Sequence, residues 1–416
     1  MSGHLDERPI ISFRNALIVA IILVLSYSIS SYLLIGYQDL RNNVLNAHII
    51  ITDLLSALCL IYAAHNSRFH KKIYIPWVLL AISRLCYTAG DIIYAYLNVL
   101  NQQPFPSIAD PAFLAFYPIF ALGILMLPKV RMTSGEKLKF FLDVGIIMVA
   151  STIIFWIFLI APTIESNAQN DLITSILAVA YPVADLVLLF ALIETLFRRF
   201  ESAIMRPILC LIAGMSVMIL SDAVFMDVSL KYGSILEGSG FGGLWDTSYI
   251  IVYVLMGLAG ISQANLKILD YSSLDIITKP ILFKWATYLP YMCVISSFLF
   301  LIWGYDHPLP ISFSTLSWAV GGIIGMVVIR QVVALNENVR LYQDKVQEIN
   351  QRIRAEEEVR KLNDTLENRV TERTAELEVS NKELKKEIRE HRISDEALRD
   401  SQQLMSNMID FLPDAL

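Results

Sequence analysis

The chain has 416 residues, 55% of them hydrophobic and 17% charged, with a formal net charge of −6. That balance excludes an ordinary soluble domain, because apolar runs longer than about 18 residues read as bilayer spans. Charge is concentrated in the last quarter, so the net value averages two unlike parts, and no broad basic patch points to nucleic acid.

Met1–Arg14 is polar and holds Asp6 and Glu7. The apolar run after it has no small-residue cleavage site and reads as a retained first helix, not a signal peptide. Apolar runs follow at Asn15–Tyr37, Val44–Ala64, Ile73–Leu97, Ile108–Leu127, Phe140–Ile160, Leu172–Phe197, Pro207–Val228, Leu244–Ala264, Trp285–Trp303 and Ile311–Leu335. At about 1.5 Å of rise per residue each can cross roughly 30 Å of hydrocarbon, and only helices close their hydrogen bonds there. The predicted fold class is all-α: a polytopic membrane helical bundle of about ten transmembrane helices, then a long cytoplasmic coiled-coil helix.

Basic residues set the orientation. Arg8, Arg14, Arg68, Lys71, Lys72, Lys129, Arg131, Lys137, Lys139, Arg198, Arg199, Arg206, Lys267, Lys279 and Lys284 fall on one side, against Arg41 and Lys231 on the other. The expected location is the cell membrane, multi-pass, with both termini cytoplasmic. Trp245, Trp285 and Trp303 suit interfacial anchors, and Pro118, Pro182 and Pro290 are expected to kink their helices. Cys59, Cys86, Cys210 and Cys293 all fall in apolar spans and read as small buried hydrophobes, not disulfide partners. Gly321 to Gly325, inside the last span, reads as a helix-packing surface.

Acidic residues are the main functional clue, since a carboxylate in a span is costly unless paired or hydrated. Asp91, Asp110, Asp222 and Asp246 lie toward the external side, and Asp185 lies deeper. Arg84 is two turns from Asp91 and Tyr87 one turn from it, on a similar helix face. These seven are the ligand-sensing candidates, around an outward-facing polar cavity for a small polar or cationic ligand or for protons. The alternative is that they satisfy one another and lock helix packing. The order Asp91–loop–Asp110 returns as Asp222–loop–Asp246, which suggests a parallel duplication of helical hairpins. His48 and Asp53 read as packing or hydrated residues. A single intramembrane histidine does not suit haem, and no metal, nucleotide or other cofactor site is expected.

From Met326 to Leu412 there is neither Pro nor Gly, and helix formers dominate. Tyr342, Ile349, Val370, Leu377 and Leu384 share one heptad phase, with Val346, Ile353, Thr374 and Ile388 at the complementary position. Asn381 among them suits a register-fixing polar residue. Between Arg354 and Glu367 the phase breaks, through Val359, Leu362 and Leu366. The expected division is residues 1–335 as a transmembrane sensor bundle, 336–403 as a coiled-coil signalling helix and 404–416 as the truncated start of a PAS domain.

The stretch Leu366-Glu-Asn-Arg-Val-Thr-Glu-Arg-Thr-Ala-Glu-Leu377, then Asn381 to Ile388 and Ser394 to Ser401, resembles the signalling-helix linker of membrane-bound sensor histidine kinases. Met405 to Ala415 looks like the opening helix of a PAS domain, and the chain then stops, as expected of a fragment. Gly90-Asp91, Pro104 to Asp110, Phe116-Tyr-Pro118, Leu142-Asp143, Ala180 to Leu186, Ser221-Asp222 and Leu244-Trp-Asp246 resemble a multi-span sensor region found ahead of such kinases and of cyclases. The resemblance implies the sensing and transmitting portion of a two-component sensor histidine kinase. Its implied partners are membrane lipid, a second copy through the coiled coil, and a downstream PAS/kinase module with its response regulator. A diguanylate cyclase sensor region and a ten-span transporter remain the alternatives. No catalytic module falls within these residues. His391 lacks the acidic neighbour and following Pro of a phosphoacceptor, so no catalytic residue is carried over.

Overall fold

The computed structural model describes residues 11–100, 102, 105–129, 132, 134–198, 200, 204–232, 241–266 and 284–410, with backbone only at 229–232, 241–245, 284 and 410. Arg8, Arg131, Arg199, Lys267, Lys279, Pro104 and the last residues of the PAS-like stretch lie outside them, as do the side chains of Lys231 and Trp245. The described residues form an all-helical, multi-pass membrane protein. It divides into two units, Met1–Leu335 and Asn336–Leu416.

In the first unit the helices are α1 (Phe13–Leu33), α2 (Gln38–Asn66), α3 (Lys71–Val99), α4 (Asp110–Leu125), α5 (Ser134–Phe155), α6 (Ala161–Ser166), α7 (Leu172–Phe197), α8 (Met205–Tyr232), α9 (Phe241–Ala264) and α10 (Leu289–Asp306). The last helix, α11, runs Phe313–Asp410 and begins in this unit. Among the described residues nine helices are long and apolar enough to cross a membrane, and α4, at 16 residues, is a shorter apolar one.

Local chemistry sets several boundaries. Ser12 caps α1 by accepting from the Asn15 N–H, and Asp171 caps α7 by accepting from the Thr174 N–H, both at 3.2 Å. Pro111 opens α4, where a missing N–H costs nothing. After α5 the backbone widens into a π-helical turn, Trp156–Ile160, where the Ala161 N–H reaches back to the Trp156 carbonyl. Pro162 follows at once and withdraws a donor from the regular ladder. The apolar helical stretch therefore continues to Ser166, past the expected end of the fifth span.

Pro118 and Pro182 lie inside helices, but Pro290 does not bend one. It stands in the first turn of α10, preceded by a 3₁₀ turn at Lys284–Tyr288, where proline is tolerated. At Gly321, Gly322 and Gly325 a Cβ would meet nothing of this chain within 4 Å, so no described helix of the same chain packs closely there.

Six helices close into a ring. α2 packs on α3, α3 on α4, α4 on α7, α7 on α8, α8 on α9, and α9 back on α2. α1 lies against α9 and α2, while α5 packs on α7 and carries α10. The ring is two three-helix sets, α2–α3–α4 and α7–α8–α9, following one another in the same order. Asp53, Asp91 and Asp110 of the first set recur as Asp185, Asp222 and Asp246 of the second, at offsets of 132, 131 and 136 residues. The repeat seen in two hairpins thus extends to three helices.

The ring is filled by large side chains, among them Trp77, Leu80, Phe116, Phe120, Leu188 and Met215, each at most 1% exposed. α1 instead leaves Ile18, Ile22, Leu25 and Ile29 about half exposed, a surface suited to lipid. At one crossing the backbones nearly touch: a Cβ on Gly260 of α9 would lie 2.5 Å from the Cys59 carbonyl oxygen of α2. The four cysteines are unbonded and half-buried, less enclosed than their apolar setting predicts.

The second unit holds the part of α11 beyond Leu335. Its helix-surface ion pairs, such as Arg352–Glu356 at 3.6 Å and Lys386–Glu390 at 3.8 Å, each contribute about 0.3–0.5 kcal/mol at most. The heptad residues Tyr342, Ile349, Val370, Leu377, Leu384 and Ile388 are all exposed.

Candidate functional site

The ring interior holds a polar network, built from one ion pair outward. Arg84 of α3 is fully buried and paired with Asp53 of α2, which is equally buried. The Thr88 hydroxyl, one turn along α3, donates to Asp53 Oδ2 at 2.7 Å. The guanidinium lies over three rings, with its central carbon 4.5 Å from the Tyr253 centroid, 4.9 Å from Tyr87 and 5.4 Å from Phe116. Stacking on ring faces suits arginine, whose planar charge is weakly hydrated. Tyr87 in turn meets Phe113, Phe116 and Tyr253 edge-on.

A second centre forms on Asp222 of α8. The Tyr249 hydroxyl of α9 donates to its Oδ1 at 2.8 Å, and the Tyr117 hydroxyl of α4 donates to its Oδ2 at 3.0 Å. Asp185 of α7 is 3% exposed and sits within hydrogen-bonding reach of Asp222. One turn earlier on α7, the Tyr181 hydroxyl donates to Asp110 Oδ1 at 2.5 Å, while the Ser107 N–H donates to the other oxygen of Asp110 at 2.6 Å. Asp91 of α3 faces both Arg84 and the Tyr253 hydroxyl.

The structure therefore gathers Arg84, Tyr87, Asp91, Asp185 and Asp222 into one interior, with Asp110 joined to it through Tyr181. Asp246 stands apart. It faces Arg41 and Tyr27 on the other side of α9, and Arg41 donates to Ser31 at 3.3 Å. Arg41 is 7% exposed, so one of the two basic residues that break the charge asymmetry is an internal partner and not a loop charge. His48 lies nearby, bonded to Ser26 at 2.9 Å and Thr52 at 3.2 Å.

Sequence reasoning missed Asp53 as the partner of Arg84, and it missed Tyr117, Tyr181, Tyr249 and Tyr253. A signal was present. Tyr117 and Tyr181 each precede a proline inside an apolar run, and Tyr117 and Tyr253 stand 136 residues apart, the same offset as Asp110 and Asp246. Among the described residues no group of three or more metal-ligating side chains is arranged to hold a metal ion.

No family model, curated protein or solved structure matches this chain. The interior can hold or exchange protons and fix the mutual positions of six helices.

A separate cluster ties the start of α11 to the bundle. Arg330 is 5% exposed; its Nε donates to Asp143 Oδ1 of α5 at 2.8 Å, and its Nη1 donates to the Tyr291 hydroxyl of α10 at 2.6 Å. The Tyr291 hydroxyl in turn donates to Gln331 Oε1 at 2.8 Å.

Proposed function

We propose that this chain is the signal-sensing and transmitting portion of a two-component sensor histidine kinase, with α4 as a tenth membrane crossing and both termini cytoplasmic. The observation that carries the reading is α11. One helix of 98 residues begins in an apolar segment and continues through the signalling-linker motif around Arg369 to Leu377. The anchoring of Arg330 to α5 and α10 supports it, because a displacement in the bundle then acts on the same helix. A transporter has little use for such an extension.

In this reading two copies pair through the heptad positions, the downstream partner is a PAS/kinase module, and the cue shifts a two-state bundle by its differential affinity. Cysteine-scanning cross-linking of the full chain in membranes tests the pairing, in a background where the four native cysteines are replaced. Leu377→Cys and Leu384→Cys should form dimers readily, and Val379→Cys poorly. Equal yields at all three positions would remove the coiled coil, and the transmitting role with it.

A further inference from the structure

The two halves of the ring neutralise their matching acids differently. Asp53 in the first half has Arg84. Its counterpart Asp185 has no such cation among the described residues, because the position 131 residues after Arg84 is Met215, fully buried in the core. What faces Asp185 instead is another acid, Asp222.

Two ionised carboxylates offer only acceptors and cannot bond to one another; a proton must lie between them. Both oxygens of Asp222 already accept from tyrosines, at 2.8 and 3.0 Å. Asp222 is thus built to carry the negative charge, and the donor in the pair is Asp185. Oδ1 of Asp185 is buried, and no ordinary donor among the described residues bonds to it.

We propose that Asp185 and Asp222 form a proton-binding site, with the proton resident on Asp185 and exchanged by way of Asp222. Asp222, Tyr181 and Tyr249 are each partly exposed, whereas Asp185 is enclosed, so exchange has a polar side to proceed through. Tyr181, one turn from Asp185, bonds to Asp110 at the loop end of α4 and supplies a hydroxyl in that direction. The other charged or titratable groups around the pair are Asp53 on α2, with Arg84, Tyr87 and Asp91 on α3. Tyr117 lies on α4, and Tyr249 and Tyr253 on α9. Within this set Arg84 is the one cation, and Asp53 already engages it. Losing the proton would set two like charges in contact between α7 and α8, which separates those helices. If the sensor reading holds, the proton is its cue, but the site stands independently of that reading.

Infrared spectroscopy of the full chain in lipid nanodiscs tests this at neutral pH, in H₂O and D₂O. The unmodified chain should show a protonated-carboxyl stretch that shifts on deuteration and disappears at high pH. Asp185→Asn preserves an N–H donor toward Asp222 and should fold, yet lose that band. Met215→Arg, which restores the arrangement of the first half, should lose it too. A spectrum of Asp185→Asn retaining the full band would overturn the proposal, as would a band in the unmodified chain that persists at every pH. Neither measurement involves the output helix, so a failure of the site and a failure of the sensor reading are read separately.

Discussion

Arg330 and Asp143 meet through a single charged hydrogen bond of 2.8 Å, both side chains at most 5% exposed, and this bond fixes α11 to α5. Removing one member leaves the other charged and buried, which costs about 3–5 kcal/mol. Arg330→Ala and Asp143→Ala should each lower the thermal midpoint in detergent. The double variant Arg330→Ala with Asp143→Ala should lose less than the two single losses added together, as a double-mutant cycle would register. Additive losses would show that the two residues act independently.

Arg198 closes the last turn of α4. Its Nη1 donates to the Ile124 carbonyl at 3.1 Å, its Nη2 to Leu125 at 2.7 Å, and its Nε pairs with Glu194 at 2.5 Å. A cation at a helix C-terminus is favoured by the carbonyls that lack partners there. Arg198→Ala should cost roughly 3 kcal/mol, and Arg198→Lys should restore only part of it, because an ammonium's three donors radiate from one nitrogen and cannot span acceptors that the planar fork reaches from three. Full rescue by lysine in a melting experiment would contradict the fork geometry.

Close approach of α2 and α9 makes a glycine series informative. Gly260→Ala forces its methyl against the Cys59 carbonyl, whereas a Cβ on Gly214 would stand 3.5 Å from its nearest neighbour. Gly260→Ala should therefore destabilise by about 1–3 kcal/mol, and Gly214→Ala should change stability little. Equal effects, measured by thermal unfolding, would argue that the helices are not held at this spacing.

Asp171, at the head of α7, accepts from the Thr174 hydroxyl and backbone N–H, and these bonds hold its carboxyl below the usual aspartate range. The cap is therefore present above the ordinary aspartate value, about 3.9, and is lost as pH falls through the depressed folded-state value. Protection of the Leu172–Ser175 amides, taken as observed exchange relative to the intrinsic rate at each pH, should be present near neutral pH and fall in strong acid. Asp171→Ala should lack that protection near neutral pH and match the unmodified chain in strong acid. An unmodified chain with no acid dependence there would dismiss the cap.

The membrane character and most helix positions were legible because lipid imposes one rule, a long apolar run, that any window along the chain detects. The chosen acids were legible for a related reason: charge is rare in such runs. Their partners were not. Helical spacing put Arg84 and Asp91 on one face, yet the ion pair goes to Asp53, a contact between helices that no local spacing encodes. Asp246 shared the pattern of the others but not their place, because its neighbours Arg41 and Tyr27 come from α2 and α1. The tyrosines escaped notice because a phenol is ordinary in an apolar helix until an acid is placed opposite it. Gly321 to Gly325 permit close packing, but small residues do not name the helix that takes it up, and none of the described helices of this chain does.

The repeated half-rings have one more consequence. Tyr117 reaches from the first set to Asp222 in the second, while Tyr253 reaches from the second set back toward Asp91 in the first. Tyr181 of the second set also donates to Asp110 of the first, so the halves clasp each other three times, each lending hydroxyls to the other's acids. Turning one half against the other strains these clasps together. Such a ring is disposed to snap between two settings instead of yielding by degrees.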